Sequence, residues 1–235
     1  MIKYFDNSKW SDIMSSRLNI FCGHYGSGKT EVALNYAIKL SKEGKKVSIV
    51  DLDIVNPYFR TADAKKILEE NDIELIASEF ANSNLDIPTI PPDVKKVFCD
   101  TKRTIVFDVG GDDDGAYALG QFNSFFQNED YKMTLVVNTK RPLTRGYEEL
   151  YDMAKRIEFA SRLSFTDIAN NSNIGKLTTS DTLMSDYNQI LKLSEKMGIP
   201  ITLQCGLPHA LEKLDENLKS QSFLMQIYIK MPWEL

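Results

Sequence analysis

Apolar residues are grouped in short runs along most of the chain, and polar connections and helix-like spacing separate one run from the next. Short runs rich in Val, Ile and Phe are typical of strands that are buried on both faces. LNIFC, directly before a glycine-rich segment, and TIVFD are clear examples. The predicted strands are Leu18–Cys22, Lys46–Asp53, Ile73–Ala77, Thr104–Asp108, Thr134–Asn138, Phe165–Asn170 and Ile201–Cys205.

Helical spacing fills most of the segments between these runs. The first helix follows Thr30, and Gly44 is a typical C-cap that ends it near Glu43. The C-terminal stretch Phe223–Leu235 alternates apolar and polar residues, which predicts a strand rather than an amphipathic helix. The other predicted helices cover Ala62–Glu70, Gly115–Phe126, Thr144–Arg162 and Ser180–Met197, and one more opens at Pro91-Pro92.

The alternation of helix and strand predicts the fold class. Strands that are apolar throughout must be covered on both faces, so we expect a three-layer α/β/α fold with a mostly parallel sheet. The length of 235 residues suits a single domain, 1–235, and no repeat or linker divides it. Glu79–Pro92 is the most irregular stretch and is either a surface connection or a loop that faces a partner or substrate.

Composition narrows the range of functions. A net charge of −5 argues against a broadly basic surface, so nucleic acid is not an expected partner. Cys22, Cys99 and Cys205 stand far apart without a C-x-x-C pair, which predicts buried thiols rather than disulfides or a cysteine metal site. No signal-peptide pattern is present, and no apolar run approaches the ~18 residues of a membrane span. We therefore expect a cytoplasmic protein with no membrane partner.

One segment carries a specific chemical signal. Gly23–Thr30 reads GHYGSGKT, a complete match to G-x-x-x-x-G-K-[ST], and it lies between a predicted strand and a predicted helix. We refer to these residues as the P-loop. Glycines let backbone N–H groups wrap a phosphate chain, and the following helix directs its positive dipole end at the anion. The P-loop therefore predicts binding of a nucleoside triphosphate.

Residues of the P-loop have separate predicted roles. The ammonium of Lys29 can lie between the outer phosphates, and the hydroxyl of Thr30 can bind Mg²⁺. The candidate nucleotide-binding residues in and beside the P-loop are Gly23, Tyr25, Gly26, Ser27, Gly28, Lys29, Thr30 and Glu31.

A magnesium–nucleotide site also needs carboxylates, and the predicted strand ends supply them. Asp108 precedes Val109-Gly110-Gly111, a pattern in which the carboxylate faces the metal and the Gly111 N–H contacts the outer phosphate. Asp51 and Asp53 lie two residues apart and so point to the same side of a strand. Asp51 has an alternative role as a cap of the following turn, and Asp112–Asp114 are predicted to be a solvated loop. The candidate metal residues are Thr30, Asp51 and Asp108. The candidate catalytic residues are Lys29, Asp53 and Asp108, and the predicted role of Asp53 is to activate water.

With these strand ends in place, the chain resembles the MinD/ParA-type ATPases, whose nucleotide-binding domain is shared with CobQ and CobB proteins. These belong to the signal-recognition and MinD class of P-loop NTPases, and the resemblance covers nearly the whole chain. DLDIVNP looks like the family's D-x-D-P strand end, and FDVGG looks like its second switch. The resemblance implies metal and water-positioning roles for Asp51 and Asp53, and places Asn56 and Tyr58 in a switch loop.

The resemblance also implies where the base binds. An Asn at the end of a later strand reads adenine in such proteins, which makes Asn170 the first candidate and Asn171 the second. Gly206-Leu207-Pro208 is similar to the loop that covers the ring, so Pro208 is a candidate contact. Guanine specificity usually requires N-K-x-D, and the nearest segment, Asn138–Arg141, lacks the Asp. ATP with Mg²⁺ is therefore the expected cofactor pair.

One position departs from the family pattern. The signature K-G-G-x-G-K-[ST] has a Lys that reaches across a dimer to the neighbour's nucleotide, and His24 replaces it here. Because a neutral imidazole supplies no permanent charge, we expect phosphate binding within the chain without that contact, and a homodimer is left open. The GSGKT ending is more like that of nickel-insertion GTPases. Arg141 and Arg145 are either solvated or contribute charge to a phosphate or an acidic partner.

These features favour a regulatory ATPase whose nucleotide states present different switch surfaces, Asn56–Thr61 and Gly111–Gly115, to a partner protein. A second hypothesis is an ATP-dependent small-molecule synthetase or kinase, similar to dethiobiotin or cobyrinate synthetases. A metal-insertion NTPase is a third, weakened because His24 and His209 are the only histidines and no cysteine pair is present. A nucleotide-dependent scaffold without hydrolysis is the fourth.

Overall fold

The computed structural model describes residues 16–53, 61–77, 93–111 and 113–229, and strands in these ranges form one sheet. The strands are β1 Leu18–Cys22, β2 Val47–Leu52, β3 Glu74–Ile76, β4 Thr104–Val109, β5 Tyr131–Val137, β6 Asp167–Asn170, β7 Ile201–Gly206 and β8 Ser222–Leu224. They follow the order β3-β2-β4-β1-β5-β6-β7-β8, and each neighbouring pair is parallel. The prediction of a mostly parallel α/β sheet is confirmed.

Helices connect successive strands. They are α1 Lys29–Lys42, α2 Lys65–Glu70, α3 Val94–Cys99, α4 Asp113–Gly120, α5 Asn123–Phe126, α6 Tyr147–Ser161, α7 Ser180–Met184, α8 Tyr187–Met197, α9 Pro208–Leu211 and α10 Glu216–Lys219. Short 3₁₀ turns cover Thr61–Ala64 and Pro142–Thr144. Within the described residues, no helix has the length and apolar content needed to cross a bilayer.

Apolar side chains from alternate strand positions fill two cores, one on each face of the sheet. On one face, residues of α1 pack with Val106 of β4 and Val136 of β5. On the other face, residues of α4, α6 and α8 pack with Ile105 and Phe107 of β4. This division follows from the two-residue period of a strand, and it explains why the strands read as continuous apolar runs. The three-layer arrangement predicted from the sequence is confirmed.

The strand order places the end of β1 at a change in chain direction. β1 pairs with β4 on one side and with β5 on the other. The chain runs from β1 outward to β2 and β3, returns at β4, and then continues past β1 to β5 and beyond. Ligands of open α/β sheets bind outside the carboxyl ends of the strands at such a point. Because β1 ends at Cys22, the fold puts the P-loop in the favoured ligand position.

Some predicted helices are shorter than expected. The predicted helix Gly115–Phe126 is split into α4 and α5, and Ser180–Met197 is split into α7 and α8. Phe122 lies at the first break and is still buried in the same core as Leu119. The apolar pattern therefore continues across the break, and periodicity alone could not reveal it.

Other predictions need correction or fall outside the described residues. Only the start of the C-terminal strand is confirmed, because β8 ends at Leu224 and residues 225–229 have no regular secondary structure; residues 230–235 lie outside the described residues. Cys22 and Cys205 are buried as predicted, whereas Cys99 is exposed at the end of the short helix α3. The loop Glu79–Pro92, with the helix start at Pro91-Pro92, lies outside the described residues.

Phe107→Ala should destabilise the protein strongly. The Phe107 side chain is fully buried, and its ring centroid lies 5.8 Å from that of Phe98 and 5.4 Å from that of Phe126. Removing a buried aromatic ring costs about 3–5 kcal/mol, so urea denaturation followed by circular dichroism should show a much lower midpoint. Phe159→Ala is the matched control because Phe159 is 79% exposed. Equal midpoints for the two variants would contradict this description of the core.

Candidate functional site

The P-loop joins β1 to α1, as the motif requires. α1 begins at Lys29, and its N-cap residue Gly28 has a φ of 83°. Gly26 also has a positive φ, 76°, and residues with a Cβ rarely adopt this conformation. The N–H groups in the first turn of a helix have no partners within the helix. They are therefore available to an anion that binds at this end of α1.

Neighbouring strands enclose the P-loop so closely that a side chain would not fit at two of its glycines. A Cβ on Gly23 would lie 2.4 Å from the carbonyl oxygen of Val136 in β5. A Cβ on Gly28 would lie 2.4 Å from the amide nitrogen of Asn171. Packing against the backbone of β5 therefore requires glycine at position 23, and the positive φ favours glycine at position 28.

Two side chains that follow later strands bind the outer edge of the P-loop. Asn171, after β6, donates from Nδ2 to the carbonyl oxygen of Ser27 at 2.7 Å. Arg141, after β5, donates from Nε to the carbonyl oxygen of Gly26 at 2.9 Å. These bonds fix the orientation of two consecutive peptide groups. Arg145, the other arginine considered from the sequence, has an exposed side chain.

Three buried carboxylates lie at the ends of β2 and β4, next to Lys29. The Oδ2 atom of Asp53 is 3.6 Å from the Nζ atom of Lys29. The Oδ1 atom of Asp51 accepts a hydrogen bond from the backbone N–H of Asp53 at 3.0 Å. The sheet register pairs Asp51 with Asp108 on the neighbouring strand. The structure thus brings together the strand-end residues chosen from the sequence.

Asp108 has no exposed surface. Burial raises the pKa of its carboxyl to about 6, and the negative charge of Asp53 adds to the shift, whereas the Lys29 ammonium and the hydroxyls of Thr30 and Thr61 oppose it. Thr61 donates from Oγ1 to Oδ2 of Asp108 at 2.9 Å. The Oδ1 atom has no hydrogen-bond partner in the described part of the chain. A buried acceptor without a donor is costly, and a bound cation would satisfy it.

The residues at this point fit a magnesium ion. Mg²⁺ prefers oxygen ligands and is usually held by one or two carboxylates together with water and substrate phosphates. Asp108 has an unpartnered carboxylate oxygen, and the Thr30 hydroxyl lies beside the same carboxylate. Across the described ranges, no group of three or more His, Cys, Asp and Glu side chains is arranged to hold a metal. The phosphates of a nucleotide would therefore have to complete the coordination.

The two glycines that follow β4 pack between the carboxylates and the P-loop. A Cβ on Gly110 would lie 3.2 Å from Oδ1 of Asp53, and a Cβ on Gly111 would lie 2.6 Å from the backbone nitrogen of Tyr25. Gly111, a predicted phosphate contact, thus packs directly on the P-loop backbone. Gly110, the other glycine of FDVGG, packs against Asp53 instead.

A cavity of about 690 Å³ opens beside the P-loop. Its lining includes the polar residues Lys29 and Thr30 and the apolar residues Leu143, Leu207 and Ile227. Pockets of this volume that combine apolar walls with a few polar groups are typical of small-molecule sites.

The structure separates the two asparagines that were predicted to read the base. Asn171 lines the cavity. Asn170 is fully buried, where its Nδ2 donates to the carbonyl oxygen of Leu183 and to Oε1 of Gln204. Its Oδ1 accepts from the N–H of Ser172. Asn171 lines the cavity and Asn170 does not, so Asn171 is the better candidate for contact with a ligand.

Pro208 is the other residue predicted to lie near the base. It begins α9 and is exposed, and it is the preceding residues Gly206 and Leu207 that line the cavity. The predicted ring-covering loop is therefore near the cavity, but it contributes through the residues before the proline.

Glu31, a predicted nucleotide-binding residue, uses its carboxylate elsewhere. It accepts hydrogen bonds from the backbone N–H groups of Tyr228 and Ile229 at 2.7–3.2 Å. Burial raises the pKa of Glu31 to about 7, and the hydrogen bonds from these two N–H groups oppose that shift. Only the backbone of Glu31 is thus available to a phosphate at the start of α1.

The remaining predicted positions are less informative. His24 is half-buried, and its Nδ1 lies 2.8 Å from the carbonyl oxygen of Tyr25. Ser27 is buried beneath the P-loop, and its hydroxyl has no hydrogen-bond partner among the described residues. Asn56 and Tyr58 lie outside the described residues, as does Asp112.

Comparison with known proteins relates the chain to other structures by fold. The sequence matches no protein-family model and no curated protein. Among solved structures, the chain is similar to cell division protein FtsY from Thermotoga maritima, with 20% identity and a TM-score of 0.55 over 79% of this chain and 60% of that one. FtsY from Mycoplasma mycoides has 20% identity and a TM-score of 0.51 over 83% of this chain and 62% of that one. FlhF complexed with GTP/Mg²⁺ has 18% identity and a TM-score of 0.51 over 84% of this chain and 68% of that one.

At these identities the similarity shows the fold. The chain has the α/β fold of the P-loop NTPases, as FtsY and FlhF do. This is the fold that the sequence resemblance implied, although these structures are not MinD or ParA proteins. The chain spans about 60% of the length of the FtsY proteins that it matches.

Asp108→Asn should stabilise the protein in the absence of nucleotide and metal. The pKa of Asp108 is about 6 in the folded protein against an ordinary value of 3.8. The folded form therefore binds more protons between these values, and its stability falls as pH rises through this window. At pH 8 the ionised carboxylate costs about 1–3 kcal/mol, and a neutral amide removes that cost. Urea midpoints of the two proteins, measured with EDTA at pH 8 and pH 4.5, should show a gain that is larger at pH 8. An equal gain at both pH values would contradict the burial of an ionised Asp108.

Proposed function

We propose that the protein is a Mg²⁺-dependent ATP-binding protein and ATPase that acts as a nucleotide-dependent regulatory switch. The observation that carries this proposal is the convergence of the P-loop with Asp53 and Asp108 at one end of a parallel sheet. Lys29 joins the two halves of the site, because it lines the cavity and lies 3.6 Å from Asp53. The shared fold supports nucleotide binding, and the FlhF structure is complexed with GTP/Mg²⁺.

Each side chain has a role in the proposed hydrolysis. The ammonium of Lys29 binds the outer phosphates and gives up its pairing with Asp53. The carboxylate of Asp53 then accepts a proton from the water that attacks the γ-phosphate. Asp51, bonded to the backbone N–H of Asp53, orients it. Thr30 and Asp108 would hold Mg²⁺, which neutralises phosphate charge when bound.

The lining of the cavity supports the proposal of adenine rather than guanine as the base. Guanine is usually read by a carboxylate that accepts two hydrogen bonds from its edge, and Glu31 is the sole acidic residue among the described residues that line the cavity. Its carboxylate is already engaged by backbone N–H groups. In the turn after β5, Lys140 pairs with Asp186, and the side-chain oxygen of Asn138 accepts from backbone N–H groups. Competition between ATP and GTP for the site tests this preference.

The segment after Asp108 connects the site to the surface. Gly110 packs on Asp53, Gly111 packs on Tyr25, and α4 begins at Asp113. Binding or loss of the outer phosphate would displace these contacts and move the start of α4, which a partner protein can read. Basal hydrolysis that a partner protein stimulates supports the switch. Hydrolysis that requires a small carboxylic acid and leaves a modified product would instead favour a synthetase.

Lys29→Ala should greatly weaken ATP binding. Hydrogen bonds to charged groups contribute about 1.5–3 kcal/mol, so titration with a fluorescent ATP analogue should show affinity lower by about 10- to 150-fold. Lys42→Ala is the control, because Lys42 is exposed in the last turn of the same helix. Parent-like affinity in the Lys29 variant would overturn the P-loop assignment.

Asp53→Asn should retain ATP binding and lose turnover. The amide cannot accept a proton from water, and loss of a general base typically lowers a rate by about 10²–10⁴-fold. Phosphate release measured under single-turnover conditions, beside nucleotide affinity, separates the two effects. Asp152→Asn, at an exposed position of α6, controls for the change of charge. Unchanged phosphate release in the Asp53 variant would show that another group activates the water.

A further inference from the structure

The segment Met225–Ile229, here called the strap, is bound to α1 through its backbone. It follows β8 and has no regular secondary structure. Asn35 accepts from the N–H of Gln226 and donates to its carbonyl oxygen, both at 2.8 Å. Glu31 accepts from two N–H groups further along the strap, those of Tyr228 and Ile229. Two side chains of one helix thus fix four backbone groups of the strap.

Glu31 and Asn35, the two residues that bind the strap, belong to α1, the helix that follows the P-loop. Glu31 and Asn35 are four residues apart, so they lie on the same face of α1. Glu31 directly follows Thr30, whose hydroxyl faces the proposed metal position. The contact between Asn35 and Gln226 spans 191 residues of sequence. A single rigid element therefore sets the positions of both the phosphate end of the cavity and the strap.

The strap forms part of the apolar lining of the cavity. Met225, Ile227 and Ile229 line it. Ile227 is 46% exposed and Leu143, also in the lining, is 67% exposed. Apolar side chains exposed in a concave wall gain free energy when a flat apolar ligand covers them. Because Lys29 and Thr30 line the same cavity, a ligand that combines phosphates with a ring matches its lining.

We propose that the strap is the wall against which the nucleobase packs, and that Glu31 and Asn35 are positioning residues for it. This inference rests on the proposed function, because it takes the ligand to be a nucleoside triphosphate. It assigns separate contributions to affinity to two parts of the site. The P-loop determines affinity for the phosphates, and the strap, held by α1, determines the additional affinity that the nucleoside contributes.

A purely structural role for Asn35 makes a different prediction from a positioning role. If the strap only stabilised the fold, its release would weaken all ligands alike. If the strap forms the wall for the base, its release weakens ATP and spares inorganic triphosphate, which carries the same phosphates without a nucleoside. The ratio of the two affinities therefore distinguishes the roles.

The test compares Mg-ATP and Mg-triphosphate by isothermal titration calorimetry on the full chain. Asn35→Ala should weaken ATP binding about fivefold and leave triphosphate binding within twofold of the parent. Ser41→Ala is the matched control, because Ser41 is also on α1 and its hydroxyl donates to the carbonyl oxygen of Asn71, away from the cavity. It should change neither affinity.

Ile227→Ser is the second variant, and it leaves the backbone clamp in place. Since Ile227 is half-exposed, the variant should fold, lose about threefold in ATP affinity and keep triphosphate affinity. The inference would be overturned if both variants lost affinity for ATP and triphosphate equally, or lost affinity for neither. The proposed function would stand in that case, provided that the parent protein binds ATP. A parent protein that binds neither ATP nor triphosphate would overturn the proposed function and the inference with it.

Discussion

The ion pair between Lys29 and Asp53 is the interaction on which the candidate site depends. The two side chains are 5% and 6% exposed, and burial of such a pair costs desolvation energy that the attraction between them only partly repays. Asp51 and Asp108 add two more buried carboxylates, so negative charge exceeds positive charge around Lys29. The pKa of Asp108 is raised mainly by burial, and the charge of Asp53 adds to the shift while the Lys29 ammonium opposes it. A triphosphate would bring further negative charge, which is the physical reason why a divalent cation belongs to the proposed site.

The P-loop keeps its shape because other strands support it. Its glycines pack against the backbone of β5 and the amide of Asn171, and two of its carbonyl groups are bound by side chains that follow β5 and β6. A loop held in this way loses little conformational entropy when a ligand binds, since that entropy is lost on folding. The shape of the P-loop consequently depends on the neighbouring strands as well as on the residues of the motif.

The sequence was sufficient for the parts of the structure that local patterns encode. Apolar runs and helical spacing located the strands, and the P-loop with Asp51, Asp53 and Asp108 could be placed together because parallel strands end at the same edge. The sequence does not show which of two adjacent residues at a strand end lines a cavity. Asn170 and Asn171 are adjacent, and of the two only Asn171 lines the cavity. The strap could not be predicted at all. Its contacts join residues 191–198 positions apart through backbone groups. Because every residue except proline has a backbone N–H, the sequence does not show which of them bind a distant side chain.

The dual use of α1 has a mechanical consequence. Its first turn faces the phosphates, and Glu31 and Asn35, in its first two turns, hold the strap. A helix transmits displacement along its axis with little loss because its hydrogen bonds and its packing in the core resist bending. α1 is packed in the core through Leu34, Ala37 and other fully buried residues. Large movements of the strap relative to the first turn of α1 are therefore restricted. The switch segment at Gly110 and Gly111 is constrained differently, because it contacts the P-loop and Asp53 rather than α1. In the proposed function, the part of the site built on α1 would hold the nucleotide, and the part built on Gly110 and Gly111 would respond to the loss of its outer phosphate.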